Sequence, residues 1–179
     1  KKRLIEISGI LLIAVGLFLL ISIISYSPSD PNFIYQPENV KIKNVGGFYG
    51  SVVSDLLLQS IGLVAIFLTI NFLSWGFTLF TKKYLKKFLQ KSFFTLTYII
   101  LAATVMNIFY NDSFWLIDNG NGGFVGRAIK ENIYYFTPLI ENHYVIYSLI
   151  LFAVMFFILS LSIEKREILQ ILIFPFLLS

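Results

Sequence analysis

Four stretches of this chain, residues 7–24, 61–80, 93–110 and 144–163, run without a single charged side chain. Each has the length that a helix needs to cross ~30 Å of hydrocarbon, about 20 mostly apolar residues. Lipid offers no water to satisfy open backbone groups, so such runs are helices rather than free strands. Composition agrees. Of the 179 residues, 57% are hydrophobic and 13% are charged, about half the charged share of a soluble domain. The expected fold is an all-α integral membrane domain with four transmembrane helices over residues 1–163, leaving 164–179 as the start of a cytoplasmic linker.

The basic residues set the expected orientation. Lys1, Lys2 and Arg3 precede the first run; Lys82, Lys83, Lys86, Lys87 and Lys91 crowd the short link between the second and third; Lys165 and Arg166 follow the fourth. The two longer loops hold only Lys41, Lys43, Arg127 and Lys130. Basic residues resist translocation, so both termini and the lysine link are expected in the cytoplasm and the long loops outside. Tyr26, Trp75, Tyr84, Tyr98, Tyr110, Trp115 and Tyr144 fall near the proposed boundaries and read as interfacial anchors. The first run is too long for a secretory signal, and Ser25-Tyr26-Ser27-Pro28 is a poor cleavage site. The chain has no cysteine, which excludes disulfides, thiolate metal sites and cysteine nucleophiles.

The outer loops share a motif. Gly46-Gly47-Phe48-Tyr49-Gly50 precedes the second run and Gly122-Gly123-Phe124-Val125-Gly126 precedes the fourth, so the chain reads as two helical hairpins of similar plan. Gly46, Gly50 and Ser54 are four apart, as are Gly122 and Gly126; on a helix each set makes one flat face that another backbone can approach. Turn-making is the alternative use of these glycines. Residues 124–136 put Val125, Ile129, Ile133 and Phe136 on one side and Arg127, Lys130 and Glu131 elsewhere. That is an amphipathic helix suited to the outer membrane–water boundary, and Val52, Val53, Leu56 and Leu57 offer the same before the second run.

Little in the chain reads as catalytic. His143 is the only histidine and reads as an interfacial polar residue; no histidine–carboxylate group has metal-ligand spacing. Asp112 and Asp118 read as solvated loop acids. Asn71 and Asn107 lie inside spans and fit interhelical hydrogen bonds. A channel or transporter subunit is the alternative, with an oligomeric pore lined by Thr69, Asn71, Thr104 and Asn107, although mid-span ionisable residues of the kind that mark a substrate path are missing. The lysine link reads as a topology signal drawn to anionic lipid rather than a nucleic-acid site.

Ser25-Tyr26-Ser27-Pro28-Ser29-Asp30-Pro31 ends the first run, and Asn44-Val45-Gly46-Gly47, Gly50, Asp55, Leu57-Leu58-Gln59 and Gly62 follow it. With Gly122-Gly123-Phe124-Val125-Gly126, this resembles the N-terminal four-span membrane domain of the FtsK/SpoIIIE family of bacterial DNA translocases. The resemblance implies a multi-pass domain of the bacterial inner membrane that tethers its protein at the division septum and touches other division proteins. It also implies a homo-oligomer, hexameric by the family pattern, joined through a linker to an ATP-driven motor. This chain carries no G-x-x-x-x-G-K-[ST] phosphate loop, so ATP and Mg are expected only for a motor outside it, and direct nucleic-acid contact is not expected of this domain. The residues singled out for loop shape and helix packing are Asp30, Gly46, Gly47, Gly50, Asp55, Gly122, Gly123 and Gly126. A start without methionine and an apolar end fit a piece of a longer protein.

Overall fold

The structure, a computed structural model, describes residues 2–36, 41–110, 119–136 and 142–163. Asp112, Trp115, Asp118 and the expected linker 164–179 lie outside the described residues. The elements are α1 (Lys2–Ile24), α2 (Gly47–Ile61), α3 (Ala65–Lys82), α4 (Phe88–Phe109), α5 (Gly123–Phe136) and α6 (His143–Ser160), with a single 3-10 turn, Gly62–Val64, joining α2 to α3. Among the described residues there is no strand. Four helical stretches are long and apolar enough to cross a membrane: α1, α2 with α3, α4, and α6. Each puts large apolar side chains on the outside: Leu11 is 61% exposed, Phe77 63%, Leu96 64% and Leu151 69%. Such a surface is stable only where lipid replaces water.

The chain folds as two halves built alike. α1 runs antiparallel to α3, with Gly9 against Phe80 and Gly16 against Leu73, and α4 antiparallel to α6, with Lys91 at Leu161 and Tyr98 at Phe157. Within each half the middle helix begins at a glycine motif and packs beside the first helix. Two small cores mark the halves. Ile23, Leu58 and Ala65 join α1, α2 and α3; Val64, Tyr98 and Ala103 gather Val125, Phe156 and Phe157 around α4. Phe157 stands edge-on to both Phe67 and Tyr98, with centroids 5.1 and 5.2 Å away, so α6 is keyed to helices of both halves.

Lipid tails are as apolar as leucine, so helices in a membrane pair through close approach rather than hydrophobic escape. Gly9 and Gly76 provide that approach between α1 and α3. A Cβ added at Gly9 would sit 2.6 Å from the Phe80 amide nitrogen and 2.8 Å from the Gly76 carbonyl oxygen; one at Gly76 would sit 2.8 Å from the Gly9 carbonyl oxygen. The break between α2 and α3 falls inside the run expected as one span. Gly62 has φ +63°, and its Cα faces the second half so closely that a Cβ would lie 2.0 Å from the Asn121 carbonyl oxygen. That carbonyl accepts the Leu63 amide at 3.0 Å, which supplies a partner for a donor freed by the break.

One end of the bundle collects the basic sequence. Glu6 of α1 pairs with Lys83 at the end of α3, and the Lys91 ammonium donates to the Leu161 carbonyl just after α6. The start of α1, the α3–α4 link and the end of α6 therefore lie together. Both residues that flank the link, Lys83 (φ 60°) and Lys87 (φ 54°), occupy the left-handed region, a conformation that costs a residue with a Cβ about 1 kcal/mol or more.

Gly9→Ala should destabilise the folded chain in detergent by about 1–3 kcal/mol, the usual cost of overpacking, while Leu11→Ala on the lipid-facing surface should change it by less than ~0.5 kcal/mol. Thermal unfolding of the two variants checks this; equal shifts would contradict the α1–α3 packing described.

Candidate functional site

Two polar assemblies organise the bundle, one at each end. The first is built on the loop between α1 and α2. Asp30 is 2% exposed. Its carboxylate accepts the Lys43 amide at 3.0 Å and the Asn44 amide at 2.7 Å, which closes the loop across residues 31–42. Asn44 is buried in turn. Its Nδ2 donates to the Ser22 carbonyl (2.8 Å) and to Ser54 Oγ (3.3 Å), and its Oδ1 accepts the Gly46 amide (2.9 Å). Ser51 Oγ donates to the Pro31 carbonyl at 2.7 Å, Ser25 Oγ accepts the Val45 amide at 3.0 Å, and the Tyr26 hydroxyl donates to Asp55 Oδ1 at 3.0 Å. Each bond ties the loop or α2 to another segment.

The singled-out glycines fall into two uses. Gly47 and Gly123, the second glycine of each motif, have φ +63° and +62°; their amides donate to the carbonyls of Asn44 and Gly120, closing matching turns. The others are pressed against a neighbour. A Cβ at Gly46 would lie 2.7 Å from Ser22 Oγ, and one at Gly50 would lie 2.4 Å from Asn44 Oδ1 and 2.9 Å from Ser22 Oγ. In the second half, Cβ atoms at Gly122 and Gly126 would lie 2.3 and 2.1 Å from the Ala103 carbonyl oxygen of α4. Asp30, Gly46, Gly50 and Asp55 thus meet around the end of α1, whereas Gly122, Gly123 and Gly126 meet around α4 and Gly62. Gly123 approaches the α2–α3 break of the first half, since a Cβ there would sit 2.5 Å from the Gly62 nitrogen. α5 packs on α4 and α2 and leaves Ile133, Tyr134 and Tyr135 exposed.

The second assembly lies inside the bundle toward its basic end. Asn71 of α3 is 1% exposed; its Nδ2 donates to Ser160 Oγ of α6 (2.8 Å) and its Oδ1 accepts the Tyr98 hydroxyl of α4 (2.7 Å). Trp75 Nε1 donates to the Ser160 carbonyl at 2.8 Å, and the Ser162 amide donates to Ser74 Oγ at 3.0 Å. Three helices are joined where the hydrocarbon supplies no competing partner. Sequence reading placed Trp75 and Tyr98 at the interface; they are interior, 8% and 1% exposed, because their polar atoms find Ser160 and Asn71 rather than lipid headgroups. Thr69 and Thr104 are also buried, and their hydroxyls return to the carbonyls of Ile66 and Ile100 on their own helices. His143 opens α6 and stacks on Tyr147, centroids 6.5 Å apart. Among the described residues no group of three or more His, Asp or Glu could hold a metal ion.

Sequence reading missed Ser22, Ser160 and Asn121, and quoted Asn44 only as part of the resemblance, without a role. The Asn44 position two residues before its glycine pair was the one available signal, since Asn side chains fold back on nearby amides at turns. Asn121 does related work in the second loop, where its Nδ2 donates to the Tyr110 carbonyl at 2.9 Å.

Two substitutions probe these assemblies. Asp30→Asn should cost about 1–3 kcal/mol, because an amide nitrogen would then face a buried backbone donor; limited proteolysis within 31–43 should accelerate. A double-mutant cycle of Asn71→Ala and Tyr98→Phe should return a coupling of about 0.6–1.7 kcal/mol, read from unfolding in detergent. Zero coupling would mean the hydroxyl and the amide do not meet.

Residues 1–172 match the family model described as the 4TM region of DNA translocase FtsK/SpoIIIE. The chain is 28% identical over 160 residues to a DNA translocase FtsK of Rickettsia bellii, an alignment that covers 89% of this chain and 21% of that protein. It is 25% identical over 169 residues to a DNA translocase FtsK of Bradyrhizobium diazoefficiens, covering 93% of this chain and 20% of that protein. It is 28% identical over 125 residues to one of Mesorhizobium japonicum, covering 67% of this chain and 14% of that protein. The chain thus spans about a fifth or less of the length of these relatives. No solved structure matches it. With a family match across nearly its whole length, four apolar spanning helices and two glycine-motif halves, this chain belongs to the four-transmembrane region of the FtsK/SpoIIIE DNA translocases.

Proposed function

We propose that this region anchors an FtsK-like DNA translocase in the bacterial cytoplasmic membrane at the division septum, with both termini in the cytoplasm. It serves cell division and chromosome segregation through contacts with other division proteins and with copies of itself, as a hexamer. The motor and its ATP and Mg belong to a different part of the full protein, and this region makes no direct contact with DNA.

The observation that carries the anchor reading is where the interior polar groups go. Thr69, Asn71, Thr104 and Asn107 are each at most 3% exposed within one chain, so they do not face a surface on which copies could form a lined pore. That favours an anchor over the small channel or transporter subunit. The orientation is supported by the shared location of the start of α1, the lysine link and the end of α6, since basic segments stay on the cytoplasmic side. The glycine-shaped outer loops, held by Asp30 and Asn44, offer a defined surface beyond the membrane for protein contacts.

The test is a fluorescent fusion to the full protein. The wild type should gather at midcell, whereas Gly50→Leu with Gly126→Leu should still insert but lose midcell signal by about tenfold if packing at these glycines shapes the contact surface. Unchanged midcell localisation would refute the role of these glycines, and ion or solute flux through reconstituted vesicles would favour the channel.

A further inference from the structure

The basic end of the bundle holds a cavity that the anchor role does not use. It has a volume of about 120 Å3 and lies between the end of α3, the α3–α4 link, the start of α4 and the segment after α6. That is roughly the share of four waters in the liquid, room for a phosphate group. Lys82, Lys86 and Lys91 contribute to its wall from three different segments, with the hydroxyl-bearing Thr78 and Tyr84 and with Ser162, and no carboxylate lines it among the described residues. A second cleft of about 300 Å3 adjoins it, sharing Thr78, Lys82 and Ser162, and its wall includes Phe77, which is 63% exposed on the lipid-facing surface.

The link that shapes this cavity is held in an uncommon form. Lys83 and Lys87 both sit at positive φ, which glycine would adopt without strain, and yet both positions are lysine. Lys83 is engaged with Glu6 of α1, which turns that end of the link toward α1. Lys86 lies over the Tyr84 ring, 5.4 Å from its centroid, and Lys91 reaches the Leu161 carbonyl. Strained backbone that persists in a fold marks a place where the surroundings over-determine it; here the link leaves Lys82, Lys86 and Lys91 lining one small cavity.

We infer that this cavity binds the phosphate headgroup of an anionic membrane phospholipid, with its glycerol end and the start of an acyl chain in the adjoining cleft beside Phe77. Basic cavities between spanning helices on the side facing basic loops suit anionic headgroups, and the apolar edge at Phe77 selects a lipid over a free phosphate. The bound lipid would bridge α3, α4 and the end of α6. Retention is read in detergent solution, so the inference stands apart from the orientation and septal role proposed above.

The experiment purifies the chain in zwitterionic detergent, adds phosphatidylglycerol or phosphatidylcholine, and measures retained lipid by native mass spectrometry beside the unfolding temperature. The wild type should keep phosphatidylglycerol and gain stability from it, and gain nothing from phosphatidylcholine. Lys86→Gln with Lys91→Gln should weaken retention about thirtyfold, from the loss of two near-surface charges. Lys91→Arg should keep retention, and Lys2→Gln with Arg3→Gln, an equal loss of charge outside the cavity, should leave it intact. Equal loss in the Lys2/Arg3 variant would overturn the site in favour of diffuse surface charge. The same stabilisation by inorganic phosphate alone would overturn the lipid assignment.

Discussion

The close approach of backbones at glycine is the constraint on which the rest of this structure depends. Apolar side chains gain little by leaving lipid for another helix, so a membrane bundle is held where chains come near enough for dispersion and polar contact to act. Gly9 and Gly76 bring α1 onto α3; Gly122 and Gly126 seat α5 on the Ala103 carbonyl of α4; Gly62 and Gly123 bring the two halves together. A side chain at any of these positions would push apart elements whose polar partners are already in place. The duplicated motif is therefore a duplicated packing device, and its second copy meets the first half at Gly62, where Gly123 approaches that backbone.

Polar bonds then fix what glycine brings close. At the loop between α1 and α2, one carboxylate, Asp30, holds two successive amides, and one amide side chain, Asn44, links that loop to α1 and α2. Deeper in the bundle, Asn71, Tyr98, Trp75 and Ser160 tie three helices near the basic end. A buried polar group in a membrane is tolerable only when satisfied, and these satisfy one another. The result is a first loop tied to α1 and α2, and three helices tied to one another near the basic end.

The spans and their number were legible in the sequence because charge is absent from them and clustered between them; no tertiary partner is needed to read that. The turn at the second glycine of each motif was legible as one of two uses, and the structure divides the motif between both. What was not legible depends on partners distant in sequence. Nothing local distinguishes Tyr98 at an interface from Tyr98 inside; its partner Asn71 lies 27 residues away, and Ser160 lies 89 residues from Asn71. Gly9 and Gly76 read as ordinary glycines in apolar runs until α1 is laid antiparallel on α3. The break at Gly62–Val64 was hidden because the apolar run continues through it, and only the Asn121 carbonyl of the second half shows why the helix stops.

The central claim is a four-span anchor whose basic end faces the cytoplasm and whose glycine-motif loops face outward. Because the chain has no cysteine, single cysteines report cleanly. Lys86→Cys and Tyr49→Cys both replace exposed side chains, at the link and at the first motif. With a membrane-impermeant thiol reagent on intact spheroplasts, the account predicts labelling at position 49 and none at position 86 until the membrane is opened. Labelling of position 86 in intact spheroplasts, or protection of position 49, would contradict it.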